Sequence, residues 1–120
     1  MNPSSEKARK KIFVTGAGRG IGRAIALHLS AEGYQVAGAA RSREELESLR
    51  KESGEKISIA SVDVRDPEAQ RKWFDQEAQG AVPWGLVTAA GIYGPIGSIV
   101  DNDMSEWTKS LEINLMGTVW

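Results

Sequence analysis

The sequence contains no cysteine, and that single absence excludes disulfide frameworks, thiolate metal centres and thiol nucleophiles together. Histidine occurs once. His28 has no acidic partner or metal-ligand spacing around it, so it reads as a packed or partly exposed structural side chain, and no metal is expected. Charge of one sign is missing as well. Fifteen Lys and Arg against sixteen Asp and Glu leave a net charge of -1, which gives no footprint for nucleic acid or an acidic membrane surface. No apolar run is long enough to span a bilayer. Residues 1–10 are polar and basic, lack the apolar core of a signal peptide, and read as a disordered lead-in. These features together point to a cytoplasmic protein without nucleic-acid or membrane partners.

What is present is ordinary for a globular protein, with 41% hydrophobic and 26% charged residues. A chain of 120 residues holds one domain at most, here residues 11–120. Along it two periodicities alternate. Residues 11–15 form a β-branched and aromatic run that ends in glycines, as a buried strand does. Ile21, Ile25 and Leu29 recur as a helical stripe, and Gly33 closes that helix. Residues 34–40 read as a second strand. Ser42 and Glu45 form a capping box, and Leu46 and Leu49 line one face of the helix that follows. The charges around them, Arg43, Glu44, Glu45, Glu47, Arg50 and Lys51, read as a solvated face. Residues 57–62 make a third strand, after which Asp66 caps and Pro67 opens a helix carrying Trp73 and Phe74. Residues 84–89 make a fourth strand, and 91–103 a glycine-rich loop with Pro95. Ser105 then caps a last helix, still running at Trp120.

This alternation predicts βαβ units: an α/β fold of Rossmann type, a doubly wound parallel sheet reaching about four strands and the start of the helix that carries Asn114. On such sheets ligands bind beyond the carboxyl ends of the strands. The first strand-to-helix turn is therefore the place to look for chemistry. It reads Thr15-Gly16-Ala17-Gly18-Arg19-Gly20-Ile21-Gly22. A diphosphate there needs a tight reversal, a backbone free of Cβ atoms, and helix amides aimed at the anion. The common G-x-G-x-x-G spacing fails, because Ile21 or Arg23 stands where the last glycine is required, and the Gly-Lys-Ser/Thr of a P-loop is absent. The spacing that fits is T-G-x-x-x-G-x-G.

That spacing resembles the glycine motif of the short-chain dehydrogenase/reductase family, and further stretches match the family in order over residues 11–120. Asp63-Val64 falls where the family has an aspartate hydrogen-bonded to adenine. Val87-Thr88-Ala89-Ala90-Gly91 falls where it has Asn-Asn-Ala-Gly, with Thr88 and Ala89 replacing the asparagines and weakening that tether. Trp107, Asn114, Leu115 and Gly117 fit its W-x-x-x-x-x-x-N-L-x-G helix. The resemblance implies a sheet ordered 3-2-1-4-5 and onwards. It also implies that Asn114 is the tetrad asparagine, at a helix distortion, helping to hold a water in a proton relay. Each match has a plain structural alternative: Asp63 as a polar strand end or cap, Ala90 and Gly91 as loop punctuation, and Asn114 as a satisfied structural amide. At helical spacing Asn114 shares a face with Trp107, Leu111 and Leu115 and is expected to be partly buried.

The family's serine and Tyr-x-x-x-Lys have no counterpart in these residues. Tyr34 and Tyr93 are followed four residues later by Gly38 and Gly97. The implied activity is hydride transfer between a nicotinamide and a small carbonyl or alcohol substrate, of the 3-oxoacyl-[acyl-carrier-protein] reductase-like kind by family frequency alone. The full-length parent is expected to be a homo-oligomer. These 120 residues alone are expected to bind without turnover and, with an uncovered fourth strand, to be marginally stable or self-associating. A non-catalytic nucleotide-binding module and an incomplete gene product are the alternatives.

An NAD-specific site places a carboxylate at the end of the second strand. Here that position, eighteen residues beyond Gly22, is Ala40, and Arg41 follows. Arg19 supplies a second guanidinium and Ser42 a hydroxyl. With no opposing carboxylate in view, NADP(H) is favoured over NAD(H). The cofactor set expected is Gly16, Gly18, Arg19, Gly20, Ile21, Gly22, Arg41, Ser42, Asp63, Val64, Ala90 and Gly91.

Overall fold

The computed structural model describes residues 3–92 and 97–119. Tyr93, Pro95 and Trp120, named above, lie outside the described residues. Four parallel strands, β1 (Lys10–Thr15), β2 (Gln35–Ala40), β3 (Ser58–Ser61) and β4 (Val82–Thr88), lie in the order β3-β2-β1-β4. Between them run helices α2 (Gly20–Ala31), α3 (Arg43–Glu52) and α4 (Pro67–Glu77). This is the α/β sheet the alternation predicts.

Side chains alternate across β1, and the two faces build two cores. Ile12 and Val14 pack with Val36, Ala26, Leu49 and Ile57 on one face. Phe13 packs with Val62 and Trp73 on the other, meeting the Trp73 ring edge-on at 5.3 Å. Leu46 and Leu49 are fully buried, as the α3 stripe requires. Both faces of the sheet are thus covered near its centre, where continuous apolar strands need it.

Three local readings are corrected. Within the lead-in the described residues Pro3–Arg9 form helix α1, whose Lys7 pairs with Glu32 at 3.4 Å and stands over the Tyr34 ring. On α2 the buried face carries Gly22, Ala26 and Ser30, while Ile21 is exposed and Ile25 and Leu29 are half-buried. Small side chains let that helix lie close to the sheet, so the larger apolar residues are pushed to its flanks. Helix α5 (Met104–Leu111) is capped by Asp103, whose carboxylate accepts from the Ser105 N–H at 3.0 Å; Ser105 is the donor and not the cap. Beyond α5 the chain widens into a π-helical segment, Glu112–Met116, before α6 (Gly117–Val119).

β4 ends the sheet, and its Val82, Trp84 and Leu86 are 55–65% exposed. Such an edge promotes strand pairing between molecules. The 120-residue polypeptide is expected to self-associate with rising concentration in sedimentation velocity, and Trp84→Lys to reduce that association. A concentration-independent monomer would contradict this expectation.

Candidate functional site

A cleft of about 1030 Å³ opens at the carboxyl end of the sheet, at the upper end of the sizes usual for small-molecule sites. Every residue of the expected cofactor set lines it, and Asn114 does as well. Segments as far apart as residues 16 and 114 therefore meet in one place. Ala40, Glu45, Val62, Ala89, Ile92 and Ile113 complete the lining.

The glycine turn forms the floor. Gly16 has φ +66°, and a Cβ there would stand 2.4 Å from the Ala90 nitrogen. A Cβ on Gly22 would stand 2.1 Å from the Gly16 carbonyl oxygen. These two glycines let the turn, the start of α2 and the end of β4 touch backbone to backbone. Gly20 is different: a Cβ there would meet nothing within 4 Å. Its open side belongs to the cleft.

Helices α3, α4 and α5 have first turns capped by Ser42, Asp66 and Asp103. At the start of α2 the N-cap is Arg19, and its side chain makes no capping hydrogen bond. The first amides of α2 and the positive end of its dipole therefore remain available on the cleft floor. Arg23 fixes this turn to α3, donating to the Gly18 carbonyl at 3.5 Å, the Glu45 carbonyl at 3.4 Å and Ser48 Oγ at 3.2 Å, and pairing with Glu52.

On the far wall Asp63 is held by its neighbour. Arg65 donates from Nη2 to one carboxylate oxygen at 2.7 Å, from Nε to both at 3.1 Å, and from its backbone N–H at 2.9 Å. These side-chain bonds keep the Asp63 carboxyl below the usual aspartate range; burial, the next largest effect, opposes them, and the backbone bond and the guanidinium charges of Arg65 and Arg41 add to the lowering. A carboxylate depressed in the folded state stabilises the fold above its unfolded value, and that contribution disappears as pH falls through the folded value. The stability difference between the native chain and Asp63→Asn is thus expected to be constant down to about pH 5 and to shrink below about pH 4. Paired thermal melts check this; a difference that persists at about pH 2 would contradict it.

Asn114 lies in the π-helical segment, so the expected distortion is present. Its expected burial is not. Asn114 is exposed, as are Trp107, Leu111 and Leu115, while the inward face carries Ser110, Ile113 and Gly117. Gly117 decides the side, because a Cβ there would stand 2.5 Å from Val64 Cγ2. The Asn114 amide is nevertheless satisfied: Oδ1 accepts from the Ile92 N–H at 2.8 Å and Nδ2 donates to the Ile92 carbonyl at 2.9 Å. It tethers the segment after β4 to the π-helical segment. With Thr88 and Ala89 in place of paired asparagines, β1 and β4 are joined beyond their ladder by the Ala89 N–H donating to the Thr15 carbonyl at 3.2 Å. His28 is 75% exposed, and among the described residues no cluster suited to a metal occurs. Among the same residues no helix is long and apolar enough to cross a membrane.

A family model described as short chain dehydrogenase matches residues 10–120. Retinol dehydrogenase 5 of Homo sapiens is 28% identical over 111 residues, covering 90% of this chain and 35% of that protein. A short chain dehydrogenase of Aspergillus terreus is 37% identical over 122 residues, covering 90% and 25%. Among solved structures, an actinorhodin polyketide ketoreductase with NADPH superposes at a TM-score of 0.86 with 28% identity, covering 99% of this chain and 46% of that one. A 3-ketoacyl-ACP reductase from Sinorhizobium meliloti gives 0.78 with 34% identity, covering 90% and 44%. The chain thus spans 25–35% of the length of these curated relatives.

Proposed function

This chain belongs to the short chain dehydrogenase family, and from that premise we propose that it forms the NADP(H)-binding portion of an oxidoreductase acting on a small carbonyl or alcohol substrate. One observation carries the reading: the uncapped start of α2 meets a glycine turn whose Gly20 side is open, on the floor of a cleft at the carboxyl ends of the strands. Free amides and a positive dipole end suit a diphosphate. The dinucleotide, when bound, supplies the hydride chemistry.

The chain's own residues would then divide the binding. Backbone amides of Gly20, Ile21 and Gly22 receive the diphosphate, and Gly16 and Gly18 hold the turn to its neighbours. Arg19, Arg41 and Ser42 line the end of the cleft next to β2, where a 2′-phosphate would find two guanidinium groups. Asp63 and Val64 border the adenine side, and Ala90 and Gly91 the opposite wall. Asn114 serves by holding Ile92 against the π-helical segment, in addition to the tetrad role its motif implies. The NADPH named with the polyketide ketoreductase supports the choice of cofactor, and the 3-ketoacyl-ACP reductase supports a carbonyl substrate.

Titration of the 120-residue chain with NADP⁺ and NAD⁺, followed by calorimetry and tryptophan fluorescence, tests the reading. Saturable binding is expected, tighter for NADP⁺. A folded chain that ignores both up to about 1 mM overturns it.

A further inference from the structure

The end of β2 offers no carboxylate, because Ala40 holds that position. The structure brings one there from another element. Glu45, one turn into α3, is half-buried and lines the cleft. A Cβ built on Gly18 would stand 3.2 Å from Glu45 Cβ, 3.3 Å from Ala40 Cβ and 3.6 Å from the Glu45 carboxyl carbon. Gly18, Ala40 and Glu45 therefore share one corner of the cleft, and Glu45 is not part of the solvated face of α3.

The backbone of Glu45 is held on both sides. Its N–H donates to Ser42 Oγ at 3.2 Å, and its carbonyl accepts from Arg23 at 3.4 Å. A completed capping box would also turn the carboxylate back to the N-cap amide. Among the described residues the Glu45 carboxylate makes neither that bond nor an ion pair, although Arg19 and Arg41 line the same cleft. It is a charged acceptor with unused capacity, anchored through its main chain beside the proposed dinucleotide.

We propose that Glu45 is a specificity-determining residue: it takes the place of a strand-end carboxylate, accepting hydrogen bonds from the ribose hydroxyls of a dinucleotide without a 2′-phosphate and repelling one that carries it. This rests on the dinucleotide reading of the cleft. The consequence is a site in which Arg19 and Arg41 draw the phosphate in while Glu45 opposes it, so the chain accepts both coenzymes with a muted preference.

The test is calorimetric titration of the native chain, Glu45→Gln and Glu44→Gln with NADP⁺, NAD⁺, 2′,5′-ADP and ADP. Glutamine keeps the volume, helix propensity and capping ability of glutamate, and thermal melts verify the fold. Glu44 is an exposed neighbour whose replacement removes the same net charge. In Glu45→Gln the ratio of NADP⁺ to NAD⁺ affinity is expected to rise about tenfold, the pair of adenosine phosphates to follow it, and the shift to shrink with added salt. Glu45→Asp, with the charge withdrawn by one methylene, is expected to move the ratio in the same direction by less. An unchanged ratio in Glu45→Gln, or an equal shift in Glu44→Gln, overturns the proposal. Failure of the native chain to bind any of the four ligands counts instead against the dinucleotide reading.

Discussion

Gly22→Ala is expected to abolish dinucleotide binding and to destabilise the fold by about 2–4 kcal/mol, lowering the melting temperature by roughly 10–20 °C. The added methyl would stand 2.1 Å from the Gly16 carbonyl oxygen and 2.8 Å from its carbon. Both are backbone atoms in a turn that is itself pressed against Ala89 and Ala90, so no flexible side chain can move aside. Relief requires α2 to slide away from the sheet, and Ala26 and Ser30 on the same helix face would lose their packing with it. Gly20→Ala separates steric overlap from backbone strain. Its methyl meets nothing within 4 Å, but its φ of +63° is unfavourable for alanine, at about 1–2 kcal/mol. Thermal melts and calorimetry on both variants check the contrast. Equal losses in the two would show that close packing at residue 22 is not what holds the turn.

Arg41→Asp is expected to invert the coenzyme preference, moving the ratio of NADP⁺ to NAD⁺ affinity by about a hundredfold, about 2.7 kcal/mol. The substitution removes a guanidinium from the β2 end of the cleft, where the 2′-phosphate is proposed to sit, and adds a carboxylate in its place. Arg41 is exposed, and its backbone carbonyl accepts from Ser61 Oγ at 3.1 Å, a bond that any residue at this position can keep. The fold should therefore tolerate the change, and direct titration of both coenzymes reads the effect. If the affinity ratio stays where it was, the NADP assignment is wrong. The size of the inversion also bears on Glu45, because the aspartate would join an acid already present in that corner.

Different parts of the site differ in how visible they are in one dimension. The glycine turn is legible because its demands are local: four glycines in eight residues follow a strand and open a helix, and the spacing alone rejects the commoner motifs. The caps at Ser42 and Asp66 are legible for the same reason, since a side-chain oxygen reaches amides only two or three residues on. The face of α2 was not legible from hydropathy. Ile21, Ile25 and Leu29 form the more hydrophobic stripe, yet closeness to the sheet selects glycine, alanine and serine. The cap of α5 fell two residues from its expected place because Ser105 and Asp103 are both competent cap residues. The helix distortion at Asn114 is legible from its motif, but its exposure is not, because a π-helical segment rotates the face and Gly117 against Val64 sets the contact.

Alternating hydrophobic periods, glycine spacing and short-range caps were sufficient to establish a parallel α/β sheet and to single out the turn proposed to receive an anion, because each depends on residues a few positions apart. Tertiary structure alone decided which distant groups share the cleft. Glu45 entered it from a helix face that looked solvated, and Asn114 closed on Ile92. Those pairings depend on how elements are packed and rotated against one another, and a pattern of residue types along the chain does not carry that information.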